Sequence, residues 1–206
     1  APHIGNTGVN DEDDESEGYW VSGYVVRDPS RRVSNWRATG TLDERLRRRG
    51  IVGISGIDTR ALTRHLRERG AMRAGIFSGD EVDLDASAQL AAVRDTQPMS
   101  GSRLVDDVPT SEAYTVPAMG EKRLTVVAYD LGIKSSTPKL LAARGIEVRV
   151  VPASTPFEDV AALDPDGVFF SNGPGDPAAS DHEVGVIRRV LDAGILILEG
   201  RDHRPD

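Results

Sequence analysis

Apolar positions follow two different rhythms along this chain of 206 residues. In the second half, the short apolar run at 167–171 is rich in β-formers and reads as a buried central strand, and further strands are expected at 124–129, 147–151 and 195–198. Between them lie stretches at helical spacing. Ser136 or Thr137 can cap a helix with Pro138 in its first turn and Gly145 beyond its end. Residues 157–163 predict a short helix, and 181–192 a longer one with Val184, Ile187 and Leu191 on one face. Strands alternating with helices predict a parallel, doubly wound sheet.

The first half is patterned more locally. Residues 19–26 alternate, with Tyr19, Val21, Gly23 and Val25 on one face, and Asp28-Pro29-Ser30 predicts the turn that ends the strand. Thr41 followed three residues later by Glu44 is a capping box opening a helix that stops at Gly50. A short strand is expected at 51–54. Asp58 caps the next helix, which carries Ala61, Leu62 and Leu66 as far as Gly70. A strand at 72–78 and a helix at 86–94 follow. Prolines and weak periodicity mark 97–121 as a connection, which gives domains at 1–96 and 122–206.

Composition narrows the function. The net charge of −8 argues against nucleic acid as a partner, since a phosphate-binding surface needs clustered Lys and Arg. No apolar run approaches the ~20 residues of a membrane span, and no signal-peptide pattern is present, so a cytoplasmic location is expected. With no cysteine in the sequence, disulfides, thiolate metal sites and a catalytic thiol are all excluded within it. The acidic run at 11–17 is expected to be a solvated loop. It does not have the spacing of a calcium loop, and no metal site is expected. His65, among Arg64, Arg67 and Arg69, is expected to be a surface or half-buried residue without a catalytic role.

Candidate chemistry gathers after the strand at 167–171, in Ser171-Asn172-Gly173-Pro174-Gly175-Asp176-Pro177. The prolines lack N–H donors, and the glycines let backbone amides approach an anion or a developing oxyanion. Such a loop at the carboxyl end of a parallel strand is where open α/β sheets place ligands. Neither a nucleotide P-loop nor a dinucleotide glycine pattern fits. The string, following Pro165-Asp166-Gly167-Val168-Phe169-Phe170, resembles the glutamine-site loop of class I glutamine amidotransferases, and more narrowly the small subunit of carbamoyl phosphate synthetase. Tyr129-Asp130-Leu131-Gly132-Ile133-Lys134 is similar to the start of that amidotransferase domain. Pro2-His3-Ile4-Gly5-Asn6-Thr7-Gly8-Val9-Asn10, Val26-Arg27-Asp28, Ser34-Asn35-Trp36-Arg37, Gly53-Ile54-Ser55-Gly56-Ile57-Asp58-Thr59-Arg60 and Gly75-Ile76-Phe77-Ser78 are similar to the family's N-terminal domain. The resemblance thus covers nearly the whole chain in order.

This resemblance implies an α/β fold: an N-terminal α+β small-subunit domain that docks on a large synthetase subunit, then a flavodoxin-like amidotransferase sheet. Both are expected to be incomplete, at the start and the end respectively, with exposed apolar surface and marginal stability as a consequence. Gly173 and Gly175 are expected to bind L-glutamine and stabilise the oxyanion, with Asn172 and Asp176 shaping the loop. The family hydrolyses glutamine with a cysteine thiolate, a histidine base and a glutamate, and passes ammonia to the large subunit for carbamoyl phosphate, serving arginine and pyrimidine synthesis. The sequence departs where the cysteine belongs. Glu199-Gly200-Arg201-Asp202-His203 stands there, with Arg201 near the nucleophile's place, and arginine offers no usable nucleophilic pair. Ser171, His182 and His203 are unsuited as replacements, so no catalytic residue is assigned and no glutaminase activity is expected. No cofactor is expected in this chain; ATP and Mg would sit in the large partner subunit. The alternatives are a non-catalytic partner subunit, or another class I amidotransferase, against which the N-terminal strings argue.

Overall fold

Valine-rich runs dominate the second half because a strand buried on both faces favours β-branched side chains that pack on a pleated surface. The computed structural model describes residues 3–16 and 18–199, apart from the side chains of Pro177 and Glu199. The chain divides into two compact units, Ala1–Met99 and Ser100–Asp206.

The second unit is built on a five-stranded sheet. Its strands are β5 (Tyr114–Val116), β6 (Leu124–Asp130), β7 (Ile146–Pro152), β8 (Gly167–Phe170) and β9 (Leu196–Glu199), in the spatial order β5-β7-β6-β8-β9. The last four are parallel and β5 is antiparallel to β7. Helices α4 (Ser136–Ala142), α5 (Phe157–Ala161) and α6 (Asp181–Asp192) make the crossovers. One face packs Val127, Tyr129, Val168 and Phe170 with Val160 of α5 and Val186 and Val190 of α6. The other packs Ala128, Val148 and Val150 with Leu141 of α4. The α/β fold class holds, with the doubly wound order of the flavodoxin-like sheets.

Two expectations change here. Residues 114–116, inside the expected connection, form the edge strand β5, whose register is set by pairing with β7. Helix α6 has the predicted span, but Val184 and Leu191 are exposed, and the buried residues are Glu183, Val186 and Val190. Both triplets fit a helical period, and packing against the sheet selects one.

In the first unit, β1 (His3–Ile4) pairs in parallel with β3 (Asp28–Pro29), and β2 (Gly23–Val25) with β4 (Val52–Ile54). The strand expected at 19–26 shrinks to β2, and the turn expected at 28–30 pairs instead as β3. Residues 72–78 form no strand. Helix α1 (Leu42–Arg48) opens with both hydrogen bonds of the capping box between Thr41 and Glu44. Asp58 caps α2 (Thr59–Arg69), which ends at Gly70 with φ +83°. Asp85 caps α3 (Ala86–Asp95), accepting from the amides of Ser87 and Ala88. His65 on α2 is exposed, as expected. The acidic run is not merely solvated. Asp11 and Asp14 pair with Arg45, which is only 3% exposed, and Asp13 pairs with Arg37 at 2.8 Å. Burying a guanidinium requires such counter-charges.

Candidate functional site

Strand β6 sits between β7 and β8, so the chain leaves it in one direction and later returns on the other side. The loops after β6 and β8 therefore part from one another, and open α/β sheets place ligands in the crevice this makes. Asp130, the last residue of β6, orders the first loop. Its Oδ1 accepts from the amides of Gly132 at 2.9 Å and Ile133 at 2.8 Å, and its Oδ2 from Thr110 at 2.8 Å. Gly132 is required there because its φ is +123°.

The second loop begins at Ser171, which is buried. Its amide donates to the Tyr129 carbonyl at 3.3 Å, extending the ladder by one residue. Its hydroxyl accepts from the Leu131 amide at 2.9 Å and donates to the Asn172 carbonyl at 3.1 Å, stitching the two loops together. A hydroxyl engaged in both directions is a structural tie rather than a nucleophile. Beneath the loop, Tyr129 stacks on Phe170 with ring centroids 5.0 Å apart and donates to the Thr155 carbonyl at 3.1 Å. Burial pushes its phenol well above the usual tyrosine range.

The two candidate glycines follow. A Cβ at Gly173 would stand 2.7 Å from the Leu131 carbonyl oxygen, and one at Gly175, where φ is +100°, 2.8 Å from the Ser102 carbonyl oxygen. Neither position admits a side chain. Among the described residues, the amides of Gly173 and Gly175 donate to no protein acceptor. Asp176 holds the far side: its carboxylate accepts from Gly101 at 2.9 Å and Ala178 at 3.0 Å. Those two backbone donors, Gly101 first, hold its carboxyl below the usual carboxylate range.

The sequence alone did not single out Asp130, or Ser171 as a tie. The available signals were an Asp ending a buried strand two residues before a glycine, and a Ser opening the glycine loop. His182 is exposed on the first turn of α6. Arg201 and His203 lie outside the described residues, as does Pro2. Among the described residues, no three His, Cys, Asp or Glu side chains come together as metal ligands, and no helix is long and apolar enough to cross a membrane.

Comparison with known proteins matches both units. Residues 1–76 match the model described as carbamoyl-phosphate synthase small chain, CPSase domain, and residues 127–198 match glutamine amidotransferase class-I. The carbamoyl phosphate synthase small chain of Streptomyces coelicolor is 64% identical over 194 residues, covering 94% of this chain and 51% of the relative. That of Mycobacterium tuberculosis H37Rv is 57% identical over 200 residues, covering 95% and 53%. That of Corynebacterium glutamicum is 53% identical over 197 residues, covering 95% and 50%. The chain thus spans about half the length of the curated relatives it matches. Matched in order across both units, the chain belongs to the carbamoyl-phosphate synthase small-chain family.

Proposed function

We propose that this chain carries the glutamine-receiving loop and the large-subunit docking half of a glutamine-hydrolysing carbamoyl-phosphate synthase subunit. The observation that supports it most is the pair of free amides at Gly173 and Gly175, set at the switch point of an amidotransferase-type sheet. The carboxamide oxygen of L-glutamine is the acceptor such amides suit, and they would hold the same oxygen more tightly once it became an oxyanion. In the family's reaction a thiolate supplies the attack. These 206 residues hold no cysteine, so the polypeptide by itself is proposed to receive glutamine without hydrolysing it. The ammonia would serve carbamoyl phosphate for arginine and pyrimidine synthesis in the cytoplasm. ATP and Mg would be bound by the large subunit and no cofactor by this chain.

The absence of a thiol favours a second reading, a non-catalytic partner subunit docked on the large synthetase subunit. Titration calorimetry with glutamine separates the two. On the first reading glutamine binds and Gly173→Ala abolishes the heat, because the new Cβ displaces Leu131. On the second, glutamine gives no heat while the chain still co-elutes with a large subunit. Ammonia released in step with glutamate would overturn the proposed inactivity.

A further inference from the structure

The glycine loop is flanked by a stretch of chain about which the proposed function says nothing. Residues 101–106 run beside it, although they lie some 75 to 80 positions away in sequence. The amide of Asp176 donates to the Ser102 carbonyl at 3.1 Å, and the Gly101 amide donates back to the Asp176 carboxylate at 2.9 Å. Arg103 then spans three acceptors. Its Nε and Nη2 fork onto Asp106, both at 3.0 Å; its Nη1 donates to the Ala179 carbonyl at 2.6 Å; and its Nη2 also reaches Glu183 Oε1 at 3.1 Å. Glu183 is 6% exposed, and its second oxygen has no partner. Arg103 is therefore the cation that makes its burial tolerable.

The fit is close. A Cβ at Gly175 would stand 3.1 Å from the Leu104 amide nitrogen, besides striking the Ser102 carbonyl, and one at Gly173 would stand 3.0 Å from Cγ1 of the buried Val105. The glycines thus serve two neighbours: they free their amides for a ligand and make room for residues 102–105. The flanking stretch takes the amide of Asp176 and the carbonyl of Ala179 but leaves the amides of Gly173 and Gly175 untouched. It grips the loop at its far end and beyond.

We propose that residues 101–106 form a strap that fixes the glycine loop in its ligand-receiving shape, with Arg103 as the positioning residue. Arg103 acts through the Ala179 carbonyl and Glu183, not on the ligand. A loop whose donors are already aimed loses less on binding than one ordered by the ligand. The planar guanidinium can serve three acceptors at fixed angles, whereas a lysine ammonium at the same place cannot. The strap stands on the geometry alone; its effect on glutamine rests on the function proposed above.

Amide hydrogen exchange on the whole chain tests it. Arg103→Lys keeps a cation beside Glu183 but loses the fork, and Asp176→Ala loses both backbone acceptances. Each is expected to speed exchange of the Asp176, Ala178 and Ala179 amides by about tenfold or more while β6 and β7 amides stay protected. Asp176→Asn, which keeps one acceptance, falls between. Unchanged loop exchange in both Arg103→Lys and Asp176→Ala would overturn the strap. So would loss of protection across the sheet in step with the loop, because Arg103 would then serve the fold as a whole. Glutamine titration gives the second readout. If the unaltered chain binds glutamine, Arg103→Lys should raise Kd by about tenfold; an unchanged Kd with a loosened loop overturns the positioning role. If the unaltered chain binds no glutamine, the proposed function fails, and exchange still decides the strap.

Discussion

Among the described residues of the first unit, Val26 is the buried hydrophobic side chain, whereas the second unit buries Val105 and an apolar set running from β6 to α6. The first unit is held by short-range devices: a capping box at Thr41 and Glu44, caps at Asp58 and Asp85, and the buried Arg45 with its aspartates. The second is held by side chains from opposite ends of its sequence packed across a sheet. Local devices contribute about 1 kcal/mol each, while a fully buried aromatic contributes several times that. The scaffold that carries the glycine loop is therefore the robust half of the molecule, and the half that matches the synthase small-chain model is the softer one.

The largest expected effect is on the robust side. Tyr129 is fully buried, stacked on Phe170 and bonded to the Thr155 carbonyl. Tyr129→Ala should cost the second unit about 3–5 kcal/mol. Both tryptophans of the chain, Trp20 and Trp36, lie in the first unit, so tryptophan fluorescence reports that unit alone. The sheet amides should lose protection while the fluorescence transition in urea stays put. A tryptophan transition that moves with the sheet would mean the units melt as one.

The converse change is smaller. Arg45→Ala leaves Asp14 without a guanidinium partner at 2.8 Å and empties a buried site. Loss of charged hydrogen bonds of this kind costs about 1.5–3 kcal/mol. Here the tryptophan transition should move to lower urea while β6 and β7 amides keep their protection. Equal shifts in both probes would erase the contrast between the units.

The same contrast decides what the sequence disclosed. Thr41 with Glu44, and Asp58 before Thr59, were legible because the cap and the amide it satisfies lie within three residues of each other. The four parallel strands were legible as short runs rich in β-forming apolar residues, with Glu147 and Arg149 interspersed in β7. What needed a distant partner was hidden. Residues 114–116 become a strand only by lying against β7; 72–78, with comparable β-formers, have no such neighbour among the described residues and form none. Glu183 looks like a solvent-facing residue of α6 until Arg103, 80 positions away, is placed beside it. At the site, the glycine loop could be read from its string. The ties from Asp130 and Ser171 that hold it at the switch point could not, since both act between loops 40 residues apart or within a turn that only the fold reveals.

A single cap sharpens the comparison further. Thr41→Ala removes the hydroxyl that accepts from the Glu44 amide at 3.2 Å, leaving the Glu44 carboxylate bonded to the residue 41 amide. A loss of about 1 kcal/mol is expected. It should appear as faster exchange in the first turn of α1 and a small shift of the tryptophan transition. An effect confined to that turn would show that the helices of the first unit open one by one.

Acid should probe the same devices at the smallest amplitude. Glu44 is held below the usual carboxyl value of 4.5 chiefly by the Thr41 amide, Asp58 below 3.8 chiefly by the Ala61 amide, and Asp85 below 3.8 chiefly by the Ala88 amide. A carboxyl whose folded pKa lies below its unfolded one contributes stability above the unfolded value, and that contribution fades as the pH falls through the folded pKa. As the pH falls below about 4.5, then, the capped ends of α1, α2 and α3 should loosen, each followed by the amide shift of its capped residue in a proton NMR titration. The second unit has its own depressed carboxyls, such as Glu147 beside Lys122, but they fringe a sheet whose interior is apolar. Its central amides should therefore stay protected through the same range. If β6 and β8 lose protection together with the three caps, the two units share one cooperative transition. If the caps release while the sheet holds, the glycine loop keeps its scaffold under conditions that dismantle the softer unit.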